Sequence, residues 1–223
     1  MTAVRAALSA VLDDSVVQFA PIDRRHLKDW MVAAEPGCEP LALVRARDTR
    51  DVAQTLKVCH AHRIPVVPQG GLTGLTGGAT PVTGCVVLSL ERLSQIEALD
   101  PDGSTITVGA GVTLQAVQEA ADAAGLMFAL DIGARGSCRV GGNAATNAGG
   151  NRVLRFGMMR ELVLGLEVVL PDGRLLDQLS VLRKDNTGYD VKQWFLGAEG
   201  TLGVITGASL KLFPNPQIGR AHV

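Results

Sequence analysis

Aromatic side chains are scarce: phenylalanine, tryptophan and tyrosine make up 4% of the 223 residues. Single-stranded nucleic acid is held largely by stacking bases on aromatic rings, so that partner is disfavoured. A basic face is missing too. The 21 basic and 22 acidic residues leave a net charge of −1, whereas a phosphate backbone calls for a basic excess. No apolar run approaches the ~18 residues of a membrane-spanning helix. The four cysteines, Cys38, Cys59, Cys85 and Cys138, are far apart and form no Cys-x-x-Cys, which predicts reduced core thiols and no disulfide framework. In Cys59-His60-Ala61-His62 the two histidines are two positions apart and do not share a helix face, so no metal is expected there. Met1 to Asp14 shows neither an apolar signal core nor an Arg/Ser-rich transit pattern, which predicts a cytoplasmic location.

What is abundant is glycine, 26 residues in a chain that is 47% hydrophobic. The densest stretch runs from Ile64 to Ala79, Ile-Pro-Val-Val-Pro-Gln-Gly-Gly-Leu-Thr-Gly-Leu-Thr-Gly-Gly-Ala. Ile64 to Val67 reads as a buried strand that Pro68 stops, because proline brings no ladder donor. Gly70, Gly71, Gly74, Gly77 and Gly78 follow with no acidic residue among them. Glycine lets backbone N–H groups approach a ligand closely, and a concave row of them suits a phosphate or pyrophosphate. A flexible linker would favour serine over leucine and would lack the flanking strands. A P-loop requires a lysine, and none occurs between Lys57 and Lys184. A Rossmann fingerprint must open a helix, whereas this loop runs toward a second strand, Cys85 to Leu90.

The rest of the chain predicts an α+β fold. Met1 to Leu12 reads as a helix and Pro21 to Ala34 as an irregular, partly helical segment. Pro40 to Ala46 reads as a strand, and Asp48 to Asp51 as a cap for a helix whose inward face is Val52, Leu56 and Cys59. Asp100-Pro101-Asp102-Gly103 and Pro171-Asp172-Gly173 are turn signals, each inside a predicted hairpin. Gly109-Ala110-Gly111 precedes a helical run, Thr113 to Ala124, and Asp131 lies where a ribose carboxylate would be sought. Yet Leu114 takes the third glycine position and the preceding strand belongs to a hairpin, against a dinucleotide fold. A second small-residue block, Gly133 to Gly150, predicts a short Ala-rich helix that faces a ligand or packs closely. Tyr189 to Phe195 suggests a short helix and Gly203 to Phe213 a closing strand.

The two glycine blocks, each followed by a hairpin, resemble the vanillyl-alcohol-oxidase type of FAD-linked oxidoreductase. The runs Leu130 to Cys138, Gly141 to Gly150, Leu182 to Asp190 and Gly197 to Thr206 are most similar to its D-2-hydroxyglutarate dehydrogenase branch, which is related to D-lactate and glycolate dehydrogenases. The resemblance covers roughly Leu41 to Pro216. It implies an FAD-binding domain of the PCMH type over residues 1–217, with two α/β subdomains, about 1–98 and about 99–217, clasping the cofactor. Pro68, Gln69, Gly70, Gly71, Leu72, Thr73, Gly74 and Leu75 would hold the pyrophosphate. Ser137, Gly141, Gly142, Thr146, Asn147 and Gly150 would line the other side, and Glu199, Gly200, Gly203 and Ile205 would close over the flavin. Some relatives tether FAD through a histidine at the place of Leu72, so here the FAD would be non-covalent.

The chemistry implied is oxidation of a D-2-hydroxy acid by hydride transfer to the flavin, with electrons passing to an electron-transfer protein or quinone. A non-catalytic nucleotide-binding module is the alternative of a different class. Relatives continue into a substrate domain that carries the catalytic base and metal ligands; the expectation is a chain without it, offering no catalytic residue of its own. Residues 218–223, Ile-Gly-Arg-Ala-His-Val, read like translated sequencing-adapter DNA and stand outside fold reasoning, so His222 is not a candidate base.

Overall fold

The structure, a computed structural model, describes residues 2–216. The tail expectation for 218–223 falls outside them. Helix α1, Thr2–Val11, buries Val4 and Leu8 at helical spacing. Strand β1, Val17–Phe19, then pairs antiparallel with β2, Ala42–Arg45. Helix α2, Thr49–His62, starts where the Asp48 side chain accepts from the Asp51 N–H and ends at Arg63 in the left-handed region. Val52, Leu56 and Cys59 are its buried face. Burial pushes the Cys59 thiol up to about 12, with Cys85 adding to the effect, so this thiol is inert packing.

Strands β3, Val66–Gln69, and β4, Val86–Ser89, complete a four-stranded sheet in the order β1-β2-β4-β3, its last three strands parallel. The crossover through α2 therefore steps over β4, which is buried throughout as parallel central strands are. Pro68 does not end its strand; β3 continues through it to Gln69. The reason is position: β3 is an edge strand, where a missing N–H costs no ladder bond.

Two hairpins build the second sheet. Strands β5, Ile96–Asp100, and β6, Thr105–Gly109, join through the expected turn, in which the Asp100 side chain accepts from the Asp102 and Gly103 N–H groups. Helix α3, Leu114–Ala123, is capped by Thr113, whose hydroxyl accepts from the Ala116 N–H. The short elements β7, Leu126–Met127, α4, Val140–Ala145, α5, Val153–Phe156, and α6, Met159–Leu162, lead into β8, Val163–Val169, and β9, Leu175–Gln178. Strand β10, Val204–Lys211, enters between the hairpins, giving the antiparallel order β5-β6-β10-β8-β9. The predicted closing strand is thus central. β11, Phe213–Pro214, pairs with β7. Leu114, Val117 and Ala121 of α3 pack with Phe128 onto Ile106, Val108, Ala208 and Leu210.

The two subdomains share a seam. Val169 and Val204, from the second sheet, sit in the core of the first. The Glu167 carboxylate accepts from the hydroxyls of Thr49 and Thr206, both at 2.6 Å. Gly109 and Gly111 lie flush on the Leu93 and Leu90 carbonyls, where a Cβ would overlap the oxygen. The glycines of Gly109-Ala110-Gly111 therefore serve close backbone approach across the seam.

Bonds to a charged group are worth about 1.5–3 kcal/mol each when a partner is lost. Glu167→Ala should therefore lower stability by about 2–3 kcal/mol in denaturant unfolding. Glu97→Ala, on the exposed face of β5, should stay within about 0.5 kcal/mol.

Candidate functional site

A cleft opens where three segments meet: the loop after β3, the start of α4, and the loop before β10. The first segment is held from behind. Asp29, only 3% exposed, accepts from the N–H groups of Met31 and Val32 through Oδ1 and of Gly77 through Oδ2, all within 2.9 Å. The Trp30 N–H donates to the Gly74 carbonyl. Gln69 donates to the carbonyls of His26 and Ala79, which leaves its Oε1 to accept from His26 Nδ1 at 2.6 Å. Arg25 Nε–H donates to His26 Nε2 at 3.1 Å. Because a guanidinium can only donate, His26 must be neutral with its proton on Nδ1. Burial, as the largest cause, holds its pKa below the ordinary 6.5.

From Gly70 to Thr76 no backbone N–H donates to any acceptor among the described residues. The unpaired donors from Gly70 to Gly74, all on residues that line the cleft, form a ready cradle for an anion on a loop held from behind. Leu72 takes a left-handed φ of 55° within it. The glycines are not equivalent. Gly71 lies flush on the Ser137 carbonyl, which a Cβ would overlap, whereas a Cβ on Gly74 would meet only Asp29 Oδ2 at 3.8 Å. Gly71 is required by protein packing; Gly74 is left open to the cleft.

The second segment is set by Val140 N–H donating to the Val112 carbonyl and Gly141 N–H to that of Ala110. Gly141 packs against Ala110, 2.6 Å from where its Cβ would stand. Gly142 faces space, with nothing within 4 Å of the point a Cβ would occupy, and its N–H has no acceptor among the described residues. The third segment is bonded to α4 by Gly197 and Glu199 N–H groups donating to the Ala144 and Ala145 carbonyls. Gly200 rests on Pro68, closing the ring.

Of the residues expected from sequence, Pro68 through Gly74 line the cleft, as do Gly141, Gly142, Thr146, Glu199, Gly200, Gly203 and Ile205. Four stand apart. Leu75 is exposed beside the cleft, and Ser137 turns its side chain outward while its carbonyl carries Gly71. Asn147 accepts from the Arg160 N–H, and Arg160 in turn donates to the carbonyls of Gln193 and Leu196, so Asn147 braces the third segment. Gly150 lies flush on the Asp131 carbonyl. Among the lining residues that sequence reasoning missed, two carry charge, Asp29 and Arg139. Asp29 sits in a stretch without periodicity. Arg139 had a signal, a cation two residues before the run of small residues that starts at Gly141.

An FAD binding domain family matches residues 40–178. The chain is 47% identical over 188 residues to the mitochondrial D-2-hydroxyglutarate dehydrogenase of Bos taurus, covering 84% of this chain and 34% of that protein. It is 50% identical over 182 residues to a Schizosaccharomyces pombe protein provisionally named as a mitochondrial D-lactate dehydrogenase, covering 82% and 34%. The chain thus spans about a third of the length of these relatives. An alkyldihydroxyacetonephosphate synthase structure superposes with a TM-score of 0.85 over 98% of this chain and 41% of the other, at 20% identity, a likeness of fold alone. The relatives' names overturn the cytoplasmic expectation, because they place those proteins in mitochondria. The lack of a transit pattern in the first residues is no guide to compartment in a chain spanning a third of its relatives.

Overpacking at Gly71 should cost about 1–3 kcal/mol, so Gly71→Ala should lower the thermal midpoint of the ligand-free protein. Gly74→Ala should leave it within about 2 °C.

His26 yields a pH dependence. Its folded pKa is depressed, so below 6.5 the unfolded chain binds the proton more readily than the fold does. The stability it contributes is full above 6.5 and is lost as pH falls toward the folded value. The charged groups around it are Arg25, which opposes protonation, and Glu91 and Asp23, which favour it. The thermal midpoint should fall from about pH 7 to about pH 5. His26→Asn should flatten that window.

Proposed function

Because the chain belongs to the FAD-binding domain family, we propose that it forms the cofactor-holding part of a flavin-dependent D-2-hydroxyacid dehydrogenase. The fold is the two-subdomain α+β architecture of such domains, and the cofactor of the family is FAD. The residues present fit that group. The unpaired amides from Gly70 to Gly74 and the Gly142 amide offer donors for a diphosphate, and Gly142 leaves empty the space a side chain would fill. That row of amides is the observation that carries the reading. Leu72, at the tethering place, has no nucleophile, so the cofactor is held without a covalent bond.

FAD supplies the hydride acceptor for oxidation of a hydroxy acid to its oxo acid. What this chain supplies is placement. The loop from Pro68 to Gly74 would hold the diphosphate, α4 would line the other side, and the segment from Glu199 to Ile205 would close over the flavin. Asp29 is no candidate base, since both its oxygens are occupied by backbone N–H groups. The group that takes the substrate's hydroxyl proton is proposed to lie in the part of the relatives' length that this chain does not span. The substrate is proposed to be D-2-hydroxyglutarate, after the Bos taurus relative. D-Lactate is the second reading, favoured by the S. pombe relative at 50% identity; glycolate belongs to the same class. Electrons would leave to an electron-transfer protein or a quinone.

The test is the visible absorption spectrum of the purified chain, reconstituted with FAD, before and after denaturation. Flavin bands are expected, with all the flavin released as free FAD and none retained on the polypeptide. A chain that binds ADP but stays colourless would be a nucleotide-binding module and not a flavoprotein.

A further inference from the structure

Arg139 is the single cationic side chain among the described residues lining the cleft. Its Nη1 donates to the Gly111 carbonyl at 3.0 Å, which anchors the guanidinium in the wall. Its Nε is shut from solvent without an acceptor, one of two such side-chain nitrogens among the described residues, the other being Arg45 Nε. The Arg139 Nε is closed to a ligand in the cleft as it is to water, so the part of the guanidinium left to bind is Nη2, which donates to nothing among the described residues. The surroundings say what it would meet. The Arg139 Cβ lies 3.4 Å from where a Cβ of Gly70 would stand, and the Gly142 nitrogen 4.0 Å from the same point. The beginning of the amide row and the free Gly142 amide thus meet at the root of the Arg139 side chain.

Both acids of the cleft are at the other end of the loop. Asp29 accepts from Gly77 N–H, and Glu199 Oε2 would stand 3.1 Å from a Cβ of Gly78. The one cation lining the cleft among the described residues thus springs from beside Gly70, and the two acids stand at Gly77 and Gly78. We propose that Arg139 binds the diphosphate of the cofactor at the Gly70 end, so that the amide row works together with a fixed positive charge. Guanidinium suits this, since its planar array of donors matches phosphate oxygens and keeps its charge at any working pH. The assignment rests on the flavin reading only for the identity of the nucleotide; the diphosphate itself is its object.

The test compares FAD, ADP and riboflavin, which has no phosphate, on the 223-residue chain and its Arg139→Gln and Arg139→Lys variants, by fluorescence titration over a range of ionic strength. Arg139→Gln should weaken FAD and ADP about tenfold to a hundredfold and flatten their salt dependence. Riboflavin should shift by less than about twofold, by the same reasoning. Arg139→Lys should keep the salt dependence and recover part of the affinity, which a variant that had merely misfolded would not do. Equal losses for FAD and riboflavin with unchanged salt dependence would overturn the proposal, leaving Arg139 as a brace for Gly111. Undiminished FAD and ADP binding in Arg139→Gln would overturn it as well. A parent chain that binds ADP in an Arg139-dependent way but not FAD would remove the flavin reading and keep this one; binding of neither would remove both.

Discussion

Close approach of backbone to backbone is the constraint on which this structure depends. Gly71 on the Ser137 carbonyl, Gly109 and Gly111 on the carbonyls of Leu93 and Leu90, and Gly150 on that of Asp131 are places where no side chain fits. Each joins segments distant in sequence with main-chain atoms in contact, and the cleft exists because its walls are drawn this near. Hydrophobic packing alone would not set such spacing, since cores tolerate shifts of side chains that carbonyls in contact do not. The apolar residues of the two cores then supply the driving force, with Val169 and Val204 reaching from one subdomain into the other.

The amides of the cleft loop are open to solvent, outside the rule that buried backbone donors are paired. They stay unpaired because the loop is held by other means. Asp29, Gln69 and His26 grip it from behind through side chains, so that no ladder or turn need use the N–H groups on the open face. Such prearrangement moves the cost of ordering the loop from binding to folding.

Local features were legible in the sequence. The inward face of α2, its Asp48 cap, and both hairpins with their Asp-Gly turns are fixed by neighbours a few residues apart, where periodicity and turn chemistry speak directly. Strand order was not legible. Nothing local in Val204–Lys211 says that it lies between β6 and β8, or in Val86–Ser89 that it lies between β2 and β3. Pro68 misled because its effect depends on whether the strand has a neighbour on its N–H side, a property of the sheet. Glycine density marked the cleft, yet could not separate Gly71, excluded by a carbonyl, from Gly74, open to space. Asp29 was invisible because the Gly77 amide it grips is dozens of residues away.

The central place of β10 has a consequence for how the chain is made. Ribosomes deliver β5, β6, β8 and β9 first, as two separate ribbons, each with a bare edge where β10 will later pair. The sheet has no middle until residues near Lys211 emerge. Until then the nascent polypeptide presents two open strand edges, which are surfaces prone to aggregation. A chaperone that shields β-edges would act in that interval, before β10 is released.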